Sequence, residues 1–147
     1  MKVTGAAVFD DDERLMPLVS GYLSHELQNA QIAQQTAITY GRNLGYTCDY
    51  LMNRREFRDC ERDSAFLEVR TNVIEEYFAH LREVEELSKK TVRNRDSSLM
   101  AFFNDFLCKG VDDLPAPRTA PNPYTACFLS TRPNKTLVVS CSLNDLR

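Results

Sequence analysis

The residues with the strongest chemical bias lie between Ser88 and Ser97. Lys89, Lys90, Arg93 and Arg95 place four cations in seven positions. Ser88 is a helix-capping residue type, so Ser88, Lys89, Lys90 and Thr91 fall in a first helical turn. There, free backbone N–H groups and the helix dipole favour a phosphate. The lysines add point charges, and the two hydroxyls can donate to phosphate oxygens. Further along the same helix come Arg93, Asn94 and Ser97. Arginine and asparagine are the side chains whose donors and acceptors match guanine and adenine edges in a major groove. The competing reading is a solvated helix start, in which Glu85 and Glu86 precede the lysines by four residues and pair with them.

A second polar set, Thr36, Thr39, Arg42 and Asn43, belongs to an earlier helix. Arg42 is its phosphate candidate, or else the partner of a nearby carboxylate. Arg54 and Arg55 follow that helix, where they complement its dipole or hold a nucleic-acid backbone. Tyr40, Tyr77, Phe78, Phe102, Phe103 and Phe106 recur at helical spacing and read as core, not as base-stacking platforms. Five widely spaced cysteines without a CxxC pair, and two isolated histidines, point to neither a disulfide framework nor a metal site. The sequence presents no nucleophile–base pair, no glycine-rich phosphate loop and no carboxylate cluster. No cofactor, no small-molecule substrate and no catalytic residue is therefore expected in this chain.

These side chains must be held by helices. Residues 1–23 read as an acidic leader or a short helix, with Asp10 to Glu13 as its charged knot. A long amphipathic helix is predicted over 33–51 from Tyr40, Leu44, Thr47 or Cys48, and Leu51. Gly41 and Gly45 lie within it, four apart, and predict a shallow groove for the close approach of another helix or, as the lesser alternative, for a passing DNA backbone. Residues 53–68 alternate in charge and read as a polar connection with a helical turn, anchored by Phe57, Phe66 and Leu67. Thr71 is the expected cap of the next helix, whose stripe is Val73, Ile74, Tyr77, Phe78, Leu81 and Val84. The cationic helix then buries Val92, Leu99, Phe102 or Phe103, and Phe106, with Gly110 as its stop. Pro115, Pro117, Pro121 and Pro123 exclude helix and predict an extended linker. Leu137 to Val139 form a short β-like run, and Ser142 is a cap without its helix. The organisation expected is a leader over 1–23, a helical core over 24–111, and a proline-rich tail over 112–147 that begins a further domain.

Composition fits one soluble globular domain, 147 residues, 43% hydrophobic and 27% charged, and with no strand pattern outside 137–139 the body is expected to be an all-α bundle of three to five helices. A net charge of −3 excludes indiscriminate coating of nucleic acid, so any basic surface must be local. No segment is apolar enough for a membrane span or a signal peptide, which gives a cytoplasmic expectation and no membrane partner.

The order of these features resembles a known family. "QQTAITYGRNLGYTCDYL" is similar to the Thr-x3-Tyr-x3-Leu opening helix of the N-terminal core-binding domain of tyrosine recombinases, the phage integrase family. "VIEEYFAHLREVEELSKKTVRNRDSSLMAFFNDFL" resembles that domain's next signature: an aromatic-rich helix, a turn, Ser-x-x-Thr-Val, an arginine-bearing helix start and a paired aromatic close. Asn122-Pro123 stands where the family often carries Asn-Pro. The resemblance covers about 33–123. It implies an orthogonal, SAM-like bundle of four to five short helices that grips duplex DNA as half of a clamp. It also implies protomers that self-associate on DNA during integration or recombination. The family's strand-exchange chemistry lies in a second domain whose His-x-x-Arg and tyrosine have no counterpart here, so this chain alone should not cut or join DNA. The rival expectation is a helical protein-interaction module without a DNA role.

Overall fold

The computed structural model describes residues 5–108 and 122–124. It is mostly helical. Helices α1 (Pro17–Gln28) and α2 (Gln34–Met52), and α3 (Thr71–Glu83) and α4 (Lys89–Phe102), are joined by short turns, a longer connection links α2 to α3, and no strand occurs among the described residues. No helix among them is long and apolar enough to cross a membrane. The chain divides into two compact units, Met1–Phe66 with Arg93–Leu99 and Leu67–Val92 with Met100–Arg147.

In the first unit, α1 starts at Pro17, whose fixed φ and missing N–H suit a first helical position. Met16 offers no side-chain cap. Instead Asp63, distant in sequence, accepts the Val19 N–H at 2.8 Å. The residues expected to form a leader are part of this core: Met16, Val19, Tyr22 and Leu23 are buried. A short extended segment runs along α1. Ser24 Oγ accepts the Ala6 N–H at 2.8 Å and donates to the Ala6 carbonyl at 2.9 Å, while Ser20 Oγ accepts the Val8 N–H at 2.8 Å. Two serines one turn apart thus satisfy backbone groups that no sheet serves.

The acidic knot closes on itself. Asp10 Oδ1 accepts the N–H groups of Asp12 and Arg14, each at 2.9 Å, and Arg14 pairs with Asp10 and Asp12. The Arg14 N–H, first among these contacts, holds the Asp10 carboxyl below its usual range.

Helix α2 begins and ends within a residue of the expected span. Its buried line is Ala37, Gly41, Leu44, Cys48 and Leu51, with Asn43 and Thr47 beside it. A Cβ at Gly41 would stand 3.3 Å from Leu23 of α1 and 3.3 Å from Val8, so the close helix approach expected at the glycine pair occurs there. Gly45 faces open space instead. The connection after α2 holds two 3₁₀ turns, Arg55–Phe57 and Arg62–Leu67, anchored by buried Phe57, Ala65 and Phe66.

In the second unit, α3 buries Val73, Ile74, Tyr77, Phe78 and Leu81. Two details differ from the sequence expectation. Arg70, not Thr71, is the N-cap residue; the Thr71 hydroxyl instead donates to the Pro123 carbonyl at 3.2 Å. Val84 is 67% exposed, because the helix has already ended at Glu83 and the chain turns away. Helix α4 passes into a π-helical turn, Phe103–Leu107. That wider turn re-aims successive side chains. Phe102 stacks on Phe106 with centroids 6.0 Å apart, and Phe103 meets Tyr124 at 5.9 Å. Asn122 donates to Asn104 Oδ1 at 2.6 Å, which docks the Asn-Pro step on this helix end. The expected Gly110 stop, Pro115, Pro117 and Pro121, the β-like run and Ser142 lie outside the described residues.

Candidate nucleic-acid interface

The start of α4 is built by the turn before it. Glu86 takes a left-handed φ of 51°, and the Leu87 N–H donates back to the Leu81 carbonyl at 3.0 Å, closing α3. Ser88 then caps α4, as its type predicts. Its Oγ accepts the Thr91 N–H at 3.2 Å and lies 3.0 Å from the Thr91 hydroxyl, while its carbonyl accepts the Val92 N–H at 3.0 Å. The first two helical N–H groups, on Lys89 and Lys90, point out of the helix end without an intrahelical acceptor. Ser88, Lys89, Lys90 and Thr91 are all exposed.

The pairing that would have made these lysines an ordinary solvated face is not formed. Glu85 and Glu86 lie in the turn ahead of the helix, so four-residue helical spacing does not apply to them. Glu85 Oε2 is instead 3.0 Å from His80 Nε2. No ion pair involves Lys89, Lys90 or Arg93 among the described residues. The local arrangement is therefore a capped helix start with two free donors and uncompensated lysines, which suits an anionic oxygen.

In the first unit, Arg93, Asn94 and Ser97 of α4 are exposed, with the Ser97 hydroxyl folded back onto the Arg93 carbonyl at 3.1 Å. Arg95 is withdrawn from this set, its guanidinium lying 4.3 Å from the centre of the Tyr46 ring. On α2, Arg42 is exposed, and Thr36 and Thr39 are half-buried. Asn43 is not a surface residue. It is 7% exposed, and its Nδ2 donates to Ser98 Oγ at 2.8 Å across 55 residues of sequence. Its donors are already used inside the fold, which removes it from the set that can meet DNA. Arg54 is held by Glu56 at 2.8 Å and donates to the Tyr50 hydroxyl at 3.2 Å, a local clamp at the end of α2.

Two titratable groups are buried to which the sequence assigns no role. Asp63 lies in the charge-alternating run 53–68, yet burial pushes its carboxyl above the usual range against the opposing pull of the Val19 and Leu18 N–H groups. Cys48 is buried against the Arg62 carbonyl; desolvation, reinforced by the nearby Asp63, Asp49 and Asp10 charges, pushes its thiol up to about 12. Its place on the apolar line of α2 was the available signal.

The class these observations define is an all-α protein with an exposed cationic helix start. No family model matches this chain, and no curated protein or solved structure is significantly similar to it.

Proposed function

We propose that this chain is the duplex-binding module of a site-specific tyrosine recombinase, gripping DNA as half of a clamp for integration or recombination in the cytoplasm. The observation that carries the reading is the start of α4. Its capped first turn exposes Lys89 and Lys90 with free backbone donors and without carboxylate partners. In this reading, the N–H groups and lysines hold a backbone phosphate, and Arg93, Asn94 and Ser97 continue along the same helix toward base edges. Arg42, Thr36 and Thr39 supply secondary backbone contacts. The finer fold is the orthogonal, SAM-like bundle that the sequence resemblance implies, protomers meet on DNA, and a separate catalytic domain supplies strand exchange.

Each phosphate neutralised contributes about 0.9 to the salt slope of binding. Three or four contacts give a slope of about 3 and, from an acidic chain, micromolar or weaker affinity at physiological salt. The test is fluorescence anisotropy on random duplex across salt concentrations, with the wild type and a Lys89→Glu/Lys90→Glu/Arg93→Glu variant. Binding that weakens steeply with salt and collapses in the variant supports the module. Binding that ignores both salt and charge reversal, or that is undetectable at low salt, overturns it.

A further inference from the structure

A groove with a volume of about 500 Å³ runs along α2 within the first unit, opposite the N-terminal extended segment. Five large hydrophobic side chains are exposed among the described residues, and three of them, Phe9, Ile38 and Tyr46, line this one groove. Exposed apolar side chains gathered in one concavity mark a contact surface, where scattered ones would mark nothing. The α2 residues facing it run from Gln34 to Asp49 at three- and four-residue spacing. That is a helical stripe of roughly 22 Å at 1.5 Å rise per residue. Gly45 lies in its middle with nothing within 4 Å of the position its Cβ would take. A glycine facing open space in a helix interior costs about 1 kcal/mol relative to alanine and packs against nothing in this chain.

The charges in the groove are asymmetric. Asp10, Asp11 and Asp49 line it together with one arginine, Arg42, and the Arg95 guanidinium lies over the ring of the lining Tyr46 at 4.3 Å. Asp10 is already held by Arg14 at 3.2 Å. Asp11 and Asp49 have no ion-pair partner among the described residues. Burial and the neighbouring Asp11 and Asp10 charges keep the Asp49 carboxyl above its usual range, so an arriving cation would relieve an existing repulsion.

We propose that this groove docks an amphipathic helix of a partner protein, its apolar stripe lying over Gly45 between Ile38, Tyr46 and Phe9 and a lysine or arginine meeting Asp49 and Asp11. The missing side chain at Gly45 gives the incoming backbone its closest approach, and the exposed rings and Ile38 supply the apolar contact that a helix-in-groove complex uses. The unpaired acids select a basic sequence over an acidic one. The groove lies within the first unit and shares only Arg42 with the duplex reading, so the peptide and duplex assays test the two readings separately.

The test uses a fluorescein-labelled helical peptide of about four turns, with leucines at three- and four-residue spacing and flanking lysines, and a twin flanked by glutamates. The lysine peptide should bind at least about tenfold more tightly than its twin. Gly45→Leu, which fills open space, should weaken binding by about tenfold or more while urea melts show it folded. Asp49→Lys, at an exposed position, should reverse the preference between the peptides and serves as an independent variant if Gly45→Leu loses stability. The Lys89→Glu/Lys90→Glu/Arg93→Glu variant should bind the peptide as wild type does. Equal affinity for both peptides, no binding of either, or wild-type binding by both groove variants overturns the proposal. So does a self-association, seen by sedimentation, that Gly45→Leu abolishes, because the occupant is then a second copy of this chain.

Discussion

Replacing Asp63 isolates what a buried carboxylate does for a helix that has no cap of its own. Asp63 is 1% exposed, and its Oδ2 accepts the Val19 N–H in the first turn of α1 at 2.8 Å. Asp63→Ala removes the acceptor and leaves a buried donor unsatisfied, at a cost of about 1–3 kcal/mol. Loss of a helix cap, measured by a different route, costs about 0.5–2 kcal/mol. Part of this is offset, because the buried charge that raises the Asp63 pKa disappears as well. The net expectation is a loss of about 1.5 kcal/mol at neutral pH. With a urea slope of about 1.5 kcal/mol/M, the unfolding midpoint falls by about 1 M. Asp63→Asn keeps an acceptor oxygen and removes the charge, so it should stay within about 0.5 kcal/mol of wild type or exceed it.

The pH dependence has a definite sign. A carboxyl whose folded pKa is raised binds protons more readily in the native state than in the unfolded chain, where aspartate titrates near 3.9. Its contribution to stability therefore grows as pH falls through the raised folded pKa toward about 4, and is lost as pH rises through that window. The difference in stability between wild type and Asp63→Asn should shift toward wild type on acidification from pH 7 to about 4.5. The assay is urea unfolding followed by far-ultraviolet circular dichroism at both pH values. Equal losses in the Ala and Asn variants would refute the capping argument. A pH-independent difference would refute the burial argument.

Further outcomes follow from the same packing. Asn43→Ala should destabilise by about 1–2 kcal/mol in a urea melt, because Ser98 and a carbonyl lose a buried donor. Its salt slope on duplex should match wild type, since Asn43 does not reach the surface. At pH 8 a thiol titrating at about 12 is ionised to about one part in ten thousand, so Cys48 should react with a disulfide reagent well after the half-buried Cys60 and Cys108. Peptide mapping of the labelled native protein by mass spectrometry reads the order, and early labelling of Cys48 would show that it is not sealed.

Much of this molecule is written in residue types and spacing. The apolar period of α2 and α3, the serine ahead of Lys89 and the cationic run behind it are local features. Helix formation and capping are local physics, so those elements stand where sequence places them. The exposure of Lys89 and Lys90 was legible on the same grounds. What sequence could not supply were contacts made across distance. Asp63 meets the Val19 N–H over 44 residues, and Asn43 meets Ser98 over 55. Two polar residues of ordinary surface type are buried because a helix start and a serine hydroxyl wait for them there. Gly41 and Gly45 look alike in sequence and line the same groove, yet a Cβ at Gly41 would meet Leu23 and Val8 while one at Gly45 would meet nothing within 4 Å. Tertiary structure alone decided that difference, because whether a missing side chain becomes a contact or a cavity depends on which segment the folded chain brings opposite.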